Sequence, residues 1–473
     1  MRDNYIAFAG AAKSRLVIPD FSSGVDFFSD ESVTAVNRAK DCYNFCFSDG
    51  ALKEGYGLVD YERFKGIRPS YVWLYKRYDI EKEMQDDRFV IVSEEGELYS
   101  CTANGSEPAV KFTGITFTSP PSFVNYRLYG TDVVLICSAR EGMYVYDGEN
   151  TPYHVDNAPN ITSMALHYER LFVTVDGEKN AVWFSDDLDP TNWDSSLAGG
   201  GFIQMIDERG ALNRVISYLN YVYVFRDYGI SRITAFGAQT DFSVSNLFVS
   251  SGKIYPGSVA LCGDSVIFLA ADGLYMFDGV STKKILKGLD TIIESGENAC
   301  AFYAEGKYYL SFRRKKDEDT VGCEDSSYLN NALLVLDING GDYSMARGLD
   351  ITCFCHTADG SIIAVTSNCD VGTIEKCGRF FSRYLKKKWR VPKTDLGDDK
   401  TKFVRKICLT IDGNVSIVLR SDTREKEVAF RGFNEVKKKR VSFSGRRIGF
   451  DIVSTDDSVY VSRPSLIITK SGN

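Results

Sequence analysis

Histidine is nearly absent from this chain: 473 residues contain three, His154, His167 and His356. A Ser-His-Asp site would have to use one of them. None lies in a glycine-rich nucleophile turn, and no Gly-x-Ser-x-Gly surrounds a candidate serine. His154 and His167 fall at alternating strand positions and read as structural. The phosphate loop Gly-x4-Gly-Lys-[Ser/Thr] is missing, as is a dinucleotide fingerprint between a strand and a helix. No apolar run approaches the ~20 residues of a membrane-spanning helix, and the apolar core of residues 1–12 is too short for a secretory signal. Helical periodicity is lacking too, with no stretch beyond about two turns keeping a 3.6-residue period. These absences lead us to expect a soluble, unexported, helix-poor protein that is not an enzyme and has no catalytic residues, metal or cofactor.

The 12 cysteines do not form a disulfide framework. They sit singly inside strand-like runs, as at Cys137, Cys262, Cys300 and Cys408. A buried free cysteine packs as a small apolar residue, and disulfide frameworks belong to small secreted chains. One group, Cys353, Cys355, His356, Cys369 and Cys377, invites a test as a metal site. Its Cys-x-Cys-His spacing lacks the Cys-x2-Cys step of zinc sites, and residues 351–355 read as one strand, so no metal is expected there.

Aromatic residues and strict alternation are abundant. The 27 Tyr and 30 Phe suit pleated, half-buried strands. Hydrophobic residues at 44% and charged residues at 25% are those of a packed globular chain. Gly-Met-Tyr-Val-Tyr-Asp-Gly at 142–148 recurs as Gly-Leu-Tyr-Met-Phe-Asp-Gly at 273–279, each preceded by an apolar run. Self-similarity of this kind marks a repeat architecture. Units of the same design, an apolar strand, a turn and an alternating strand, begin at Phe89, Leu171, Tyr221, Lys307 and Ile362. Taking Gly96, Gly142, Ala181, Gly229, Gly273, Ala332 and Gly372 as equivalent points, six steps cover 276 residues. The mean step of 46 matches the ~40–50 residues of a four-stranded propeller blade. A sandwich or a β-solenoid uses similar strands. Radial closure, however, leaves only short, protected edges, whereas a linear stack this long needs caps that the sequence does not offer. The expected fold is all-β: a β-propeller of six to eight blades, seven favoured, with a small C-terminal β-sandwich or barrel.

We place an N-terminal segment at 1–64, the propeller at 65–380 and a basic all-β domain at 381–473. Six short strands are expected in the last, at 407–411, 415–420, 427–430, 440–443, 449–453 and 466–469, and a solvated loop is expected at 313–330. The net charge of −8 conceals an asymmetry. From Arg379 onward 23 Lys/Arg face 11 Asp/Glu, a charge of +12, which leaves −20 on the first 378 residues. Lys386, Lys387, Lys388, Arg390, Lys437, Lys438, Lys439, Arg440, Arg446 and Arg447 carry most of the excess. They read either as an interface for an acidic protein or for nucleic acid, or as a solvated face and charged edge strands that discourage aggregation. Of the two partners, protein is favoured, because the −20 body offers an acidic surface on another copy.

Two resemblances bear on function. Ser-Asp-Asp-Leu-Asp-Pro-Thr-Asn-Trp at 185–193 resembles the Asp-box turn of sialidase-like propellers, one residue longer and without its glycine. That box is a folding element at a blade corner. Sialidase chemistry also needs an arginine cluster and a tyrosine nucleophile, which the sequence does not display. The second resemblance is broader. His-Tyr-Glu-Arg-Leu-Phe-Val at 167–173, Trp-Phe-Ser-Asp at 183–186 and Asp-Pro-Thr-Asn-Trp at 189–193 resemble a phrase common in virion propellers of tailed bacteriophages. The strand pair at 221–225 and 229–233 is similar to the one that follows it there, and the stretch 44–57, with Gly-Ala-Leu-Lys-Glu-Gly-Tyr-Gly at 50–57, to their entry segment.

The phage resemblance covers roughly residues 35–310 and reaches the tail tubular or nozzle proteins and the packaged-DNA stabilisation proteins of short-tailed phages; the basic C-terminal domain is not matched. It implies a non-enzymatic structural subunit of a phage or prophage particle, in the neck or tail near the DNA exit path. Such a subunit is made in the host cytoplasm and carried in the virion. It would form a homo-oligomeric ring against portal, adaptor or tail subunits, close to DNA. The alternative is a cytosolic propeller acting as an interaction scaffold, although the Trp-Asp strand endings and Gly-His starts of WD repeats are absent here. A sialidase-like hydrolase ranks third.

Overall fold

The computed structural model describes residues 13–470 except 19, 22, 23, 28, 31–33, 36, 106, 195–198, 238 and 317–326. Strand follows strand, and the only helices among the described residues are single 3-10 turns. None of them is long and apolar enough to cross a membrane. Six four-stranded antiparallel sheets and a seventh, six-stranded sheet with one parallel pair succeed one another along the chain, and each is one blade. Blades 1 to 7 begin with the strands Pro69–Tyr75, Ser122–Leu128, Ile161–His167, Leu212–Tyr218, Ala260–Cys262, Ile293–Ala304 and Cys353–His356. First strands adjoin from blade 2 to 3, 3 to 4, 5 to 6 and 6 to 7, and Cys353–His356 adjoins Pro69–Tyr75, while Trp73 Nε1 donates to Asn125 Oδ1 at 3.0 Å between the first strands of blades 1 and 2. They therefore line the inside of a closed ring. Second strands such as Ser265–Ala270 are buried at every position, because each has a strand on either side and a neighbouring blade on either face.

The last blade is completed from the other end of the chain. Tyr56–Asp60 pairs antiparallel with Val371–Lys376, Leu58 opposite Ile374, and supplies the fourth strand of blade 7. Gly57 is required at this seam: a Cβ there would lie 2.0 Å from the Arg379 carbonyl oxygen and 2.8 Å from Cys377 Sγ. The two duplicated segments occupy equivalent places, the third strands Gly142–Tyr146 of blade 2 and Gly273–Phe277 of blade 5. Each ends in the same turn. Asp147 Oδ1 accepts from the Glu149 and Asn150 amides at 2.9 and 2.8 Å, and Asp278 Oδ1 from the Val280 and Ser281 amides at 2.9 and 2.7 Å. Side chains at the ends of inner strands tie blade 1 to blade 2 and blade 4 to blade 5. Tyr75 Oη donates to the Asp132 carbonyl at 2.6 Å, and Tyr218 Oη to the Asp264 carbonyl at 2.5 Å.

The second body is a nine-stranded, nearly closed sheet. Its path runs Asp41–Tyr43, Lys387–Thr394, Ile448–Ser454, Lys402–Arg420, Tyr460–Lys470, Ala51–Glu54 and Phe45–Ser48, with Lys13–Val17 added beside Tyr460–Lys470 and Glu425–Gly445 beside Lys402–Arg420. The two end strands are consecutive in the chain, joined through Asn44 at φ 59°. Asn44 also fastens this barrel to blade 6, since its Nδ2 donates to the Arg347 carbonyl at 3.3 Å and its Oδ1 accepts from the Arg347 amide at 2.8 Å. Trp389 is the centre of the barrel core, fully buried, with Phe21 and Phe47 edge-on at 5.0 and 5.1 Å.

Three expectations change. Residues 1–64 are not a separate segment: 41–54 belong to the barrel and 56–60 to the propeller, while 1–12 lie outside the described residues. Four of the expected six C-terminal strands are halves of two long ones, Lys402–Arg420 and Glu425–Gly445, whose pairing continues through bulges. The glycine at 413, with φ 96°, lets the hairpin bend without breaking. At 313–330, Lys307–Arg314 carries the strand further than expected and Asn330 is fully buried, its Nδ2 donating to the Asn298 and Ile351 carbonyls at 2.8 Å each. The rest of that expected loop, 317–326, lies outside the described residues.

Candidate interaction surfaces

Antiparallel blades place every first–second turn and every third–fourth turn on one face of the ring. On three successive blades the first–second turn carries a large apolar side chain at a left-handed position. These are Tyr129, Tyr168 and Leu219, with φ of 48°, 50° and 44°. Glycine or asparagine is at ease there, whereas a bulky residue costs about 1–2 kcal/mol. All three are exposed, Tyr129 by 81%. Each touches the next blade. Tyr129 Oη donates to Asp189 Oδ2 at 2.9 Å, the Tyr168 ring lies 5.5 Å from that of Phe236, and Leu219 sits beside Gly279. Leu188, Phe236 and Val280, also exposed, extend the row across blades 3 to 5.

Carboxylates surround the Tyr129 end of this row. Asp187 and Asp189 flank Leu188, whose amide donates to the Glu169 carbonyl at 3.0 Å; burial, then the charges of Asp189, Asp187 and Glu169, raise the Tyr126 hydroxyl. Burial pulls the Asp189 carboxyl upward, but hydrogen bonds from the Thr191 hydroxyl and amide, at 2.6 and 2.9 Å, hold it below the usual range. The stretch at 185–193 is thus a blade-corner turn. Ser185 Oγ accepts from the Leu171 amide at 3.0 Å, and Trp193 is buried in the core between blades 2 and 3.

The basic residues singled out in the sequence do not form one surface. Lys387 and Lys388 are buried, contrary to the expected interface, because their strand runs inside the barrel between Asp41–Tyr43 and Ile448–Ser454. Lys387 Nζ reaches the Asp456 carbonyl, and burial pushes its pKa down to about 8. Lys388 Nζ lies 3.6 Å from Asp451 Oδ2. The same carboxylate takes Arg390 at 3.3 Å and Arg420 at 2.8 Å. Lys386, Arg390 and Arg447 are half-buried. Lys437 is also half-buried and pairs with Glu435 at 2.7 Å, while the exposed Lys439 lies over the Phe430 ring at 5.2 Å.

Lys438, Arg440 and Arg446 are exposed. Arg440 belongs to a surface that the sequence concealed. With Lys13, Arg405, Lys406 and Lys426 it lines a groove of about 730 Å³ floored by Val441, Ser442 and Ile467, with no carboxylate among the lining residues. None of these five cations is ion-paired with a described residue; Arg405 donates to Thr469 Oγ1 at 3.1 Å and Lys426 to the Ser442 carbonyl at 3.2 Å. They come together because Lys406 faces Arg440 across the long hairpin and Lys13 lies opposite Thr469 on the far side of Tyr460–Lys470, the strand paired with that hairpin.

The histidines and cysteines are dispersed. His154 Nδ1 lies 2.8 Å from Asp156, and His167 Nδ1 lies 2.9 Å from Ser217 Oγ with its pKa lowered by burial. Cys369 Sγ meets Ser70 Oγ at 3.5 Å, Cys377 Sγ donates to the Arg379 carbonyl at 3.6 Å and Cys355 Sγ to that of His356 at 3.2 Å. Among the described residues no group of three or more His, Cys, Asp or Glu is placed to hold a metal ion.

No protein-family model matches this chain, and neither does any curated protein. Solved structures similar to it include one titled streptogramin B lyase, at 9% identity and TM-score 0.41, covering 68% of this chain and 97% of that one. Another is BBS1N in complex with ARL6DN, at 11% identity and TM-score 0.44, covering 67% and 96%. A third is Chaetomium thermophilum Raptor, at 10% and 0.45, covering 67% and 29%. None of these likenesses assigns a role to this chain.

Proposed function

We propose that this protein is a non-enzymatic docking subunit, and more narrowly a structural subunit of a tailed-phage or prophage particle. The docking part rests on the exposed row Tyr129, Tyr168 and Leu219. Folding alone would put glycine or asparagine at those left-handed turn tips, and local strain retained at a surface is a pointer to function. A contiguous exposed apolar row bordered by charge is the character of a protein-binding surface. The narrower part rests on the sequence resemblance of 167–193, 221–233 and 50–57 to virion propellers. A rigid ring with a laterally fixed barrel suits a role in which shape is the activity: the propeller resists force, and the barrel and turn tips bond to neighbours. Deleting the gene should leave DNA packaging intact and yield particles with incomplete necks or tails under the electron microscope. Normal, infectious particles from the deletion would overturn the narrower reading, and sustained turnover of a sialoside or other glycoside by the pure protein would overturn the non-enzymatic one.

A further inference from the structure

The molecule carries two surfaces of opposite character that it cannot bring together itself. One is the barrel groove of Lys13, Arg405, Lys406, Lys426 and Arg440, whose floor includes Val441 and Ile467. The other is the face of blades 2 and 3, where Asp187 and Asp189 flank the exposed Leu188, the Leu188 amide donates to the Glu169 carbonyl at 3.0 Å, and Asp189 accepts from Tyr129. Both combine charge with apolar contact, and the signs are complementary. The barrel is held at the outer strand of blade 6, Tyr343–Arg347, against Asp41–Tyr43 and Phe45–Ser48. In a ring of seven blades the point opposite blade 6 falls between blades 2 and 3. The groove and the acidic face therefore lie across the ring from each other, and the groove can meet such a face only on another molecule.

We infer that the barrel groove of one copy docks onto the blade 2–3 face of a second copy of this chain, head to tail. The charge division of the chain, −20 before residue 379 and +12 after it, favours this occupant over nucleic acid. Each copy then supplies the acidic partner for the next, and five closely spaced cations obtain the counter-charge that their own molecule does not provide. A contact between two different patches is heterologous. It either closes into a ring or propagates as a filament. The inference rests on the docking reading above and deepens it by naming the partner.

The test uses the purified full chain in analytical ultracentrifugation. The wild type should self-associate at about 0.1 M salt and revert toward monomer at about 1 M, where charges are screened within roughly 3 Å. Reversing the groove, Lys406→Glu with Arg440→Glu, should abolish association, as should reversing the face, Glu169→Lys with Asp187→Lys. These side chains are exposed or half-buried and cap no turn, and circular dichroism together with the melting temperature checks that each variant folds. The decisive step is mixing. Each variant retains one native surface and carries one reversed surface that complements its partner's, so the two monomeric variants together should regain the wild-type sedimentation profile. Joining all four substitutions in one chain should do the same. A wild type that stays monomeric at about 100 µM, a folded face variant that still associates, or a mixture that stays monomeric overturns the inference. So does a groove whose substitution changes only the binding of a 20-base-pair DNA duplex. If the chain proves monomeric yet is present in particles, this inference falls while the proposed function stands.

Discussion

Removing Asp451 should loosen the barrel while leaving the propeller untouched. This carboxylate is 4% exposed and neutralises Arg420 at 2.8 Å, Arg390 at 3.3 Å and Lys388 at 3.6 Å. In Asp451→Ala, Arg390 can turn to water, being about one-third exposed, but the Lys388 and Arg420 side chains at 5% and 9% cannot. Removing one counter-charge from a buried ion cluster costs up to about 3–5 kcal/mol, which is at most about two to three and a half decades in a local opening equilibrium. A global unfolding curve would blur this, because two bodies need not melt together. Hydrogen exchange by mass spectrometry resolves it, with amides of Lys387–Thr394 and Ile448–Ser454 speeding up by up to that factor while those of blades 3 and 4 stay as they were. A triple variant separates charge from packing: Lys388→Met, Arg420→Met and Asp451→Leu together should recover most of the lost protection, since well-packed apolar replacements of buried ion clusters are often neutral. Exchange in Asp451→Ala within about threefold of wild type would refute the buried-charge account.

Other consequences are equally direct. Lys387 is depressed to about 8 in the folded protein against about 10.4 unfolded. Below pH 8 folding must therefore carry a buried ammonium, and barrel stability should rise as pH increases from 8 toward 10. Buried thiols with raised pKa oppose this in wild type and variant alike, so the measurement is the pH-dependent difference from Lys387→Met, which should shrink over that range. Gly57→Ala places a Cβ against the Arg379 carbonyl and should open the seam between blade 7 and Tyr56–Asp60 by about 1–3 kcal/mol, seen as faster exchange at 56–60 and 371–376 alone. Tyr129→Asn and Leu219→Gly should each stabilise the isolated chain by roughly 1 kcal/mol by relieving a left-handed bulky residue, while weakening its assembly in sedimentation. Tyr75→Phe, which leaves the Asp132 carbonyl without its 2.6 Å partner, should lower stability by about 1 kcal/mol, read as a lower melting temperature.

The propeller was legible because its information is local. Period-two alternation and the Asp-Gly corners at 147–148 and 278–279 depend on neighbours in sequence, and six of the seven reference points fall on third strands, with Gly96 immediately before the seventh. What escaped was long-range. Nothing local in Tyr-Gly-Leu-Val-Asp at 56–60 announces that it pairs with Val371–Lys376. The run Lys386 to Lys388 looks like a surface patch until a central strand buries two of its three members against Asp451 and the Asp456 carbonyl. The groove cations are scattered at 13, 405–406, 426 and 440 and meet only through the register of the hairpin and of the strand pair at Tyr460–Lys470. The apolar tips left a weak signal, a large residue immediately before the Gly, Glu or Asn that precedes each second strand, as at Tyr129, Tyr168 and Leu219.

The central claim, a structural subunit carried in a tailed particle, is tested most directly by quantitative mass spectrometry of particles banded on a density gradient from the organism that bears the gene. The account predicts this chain in the particle band at a fixed number of copies per portal ring, retained after a high-salt wash. Its recovery only in the soluble cell fraction, with particles of full protein complement lacking it, would contradict the claim.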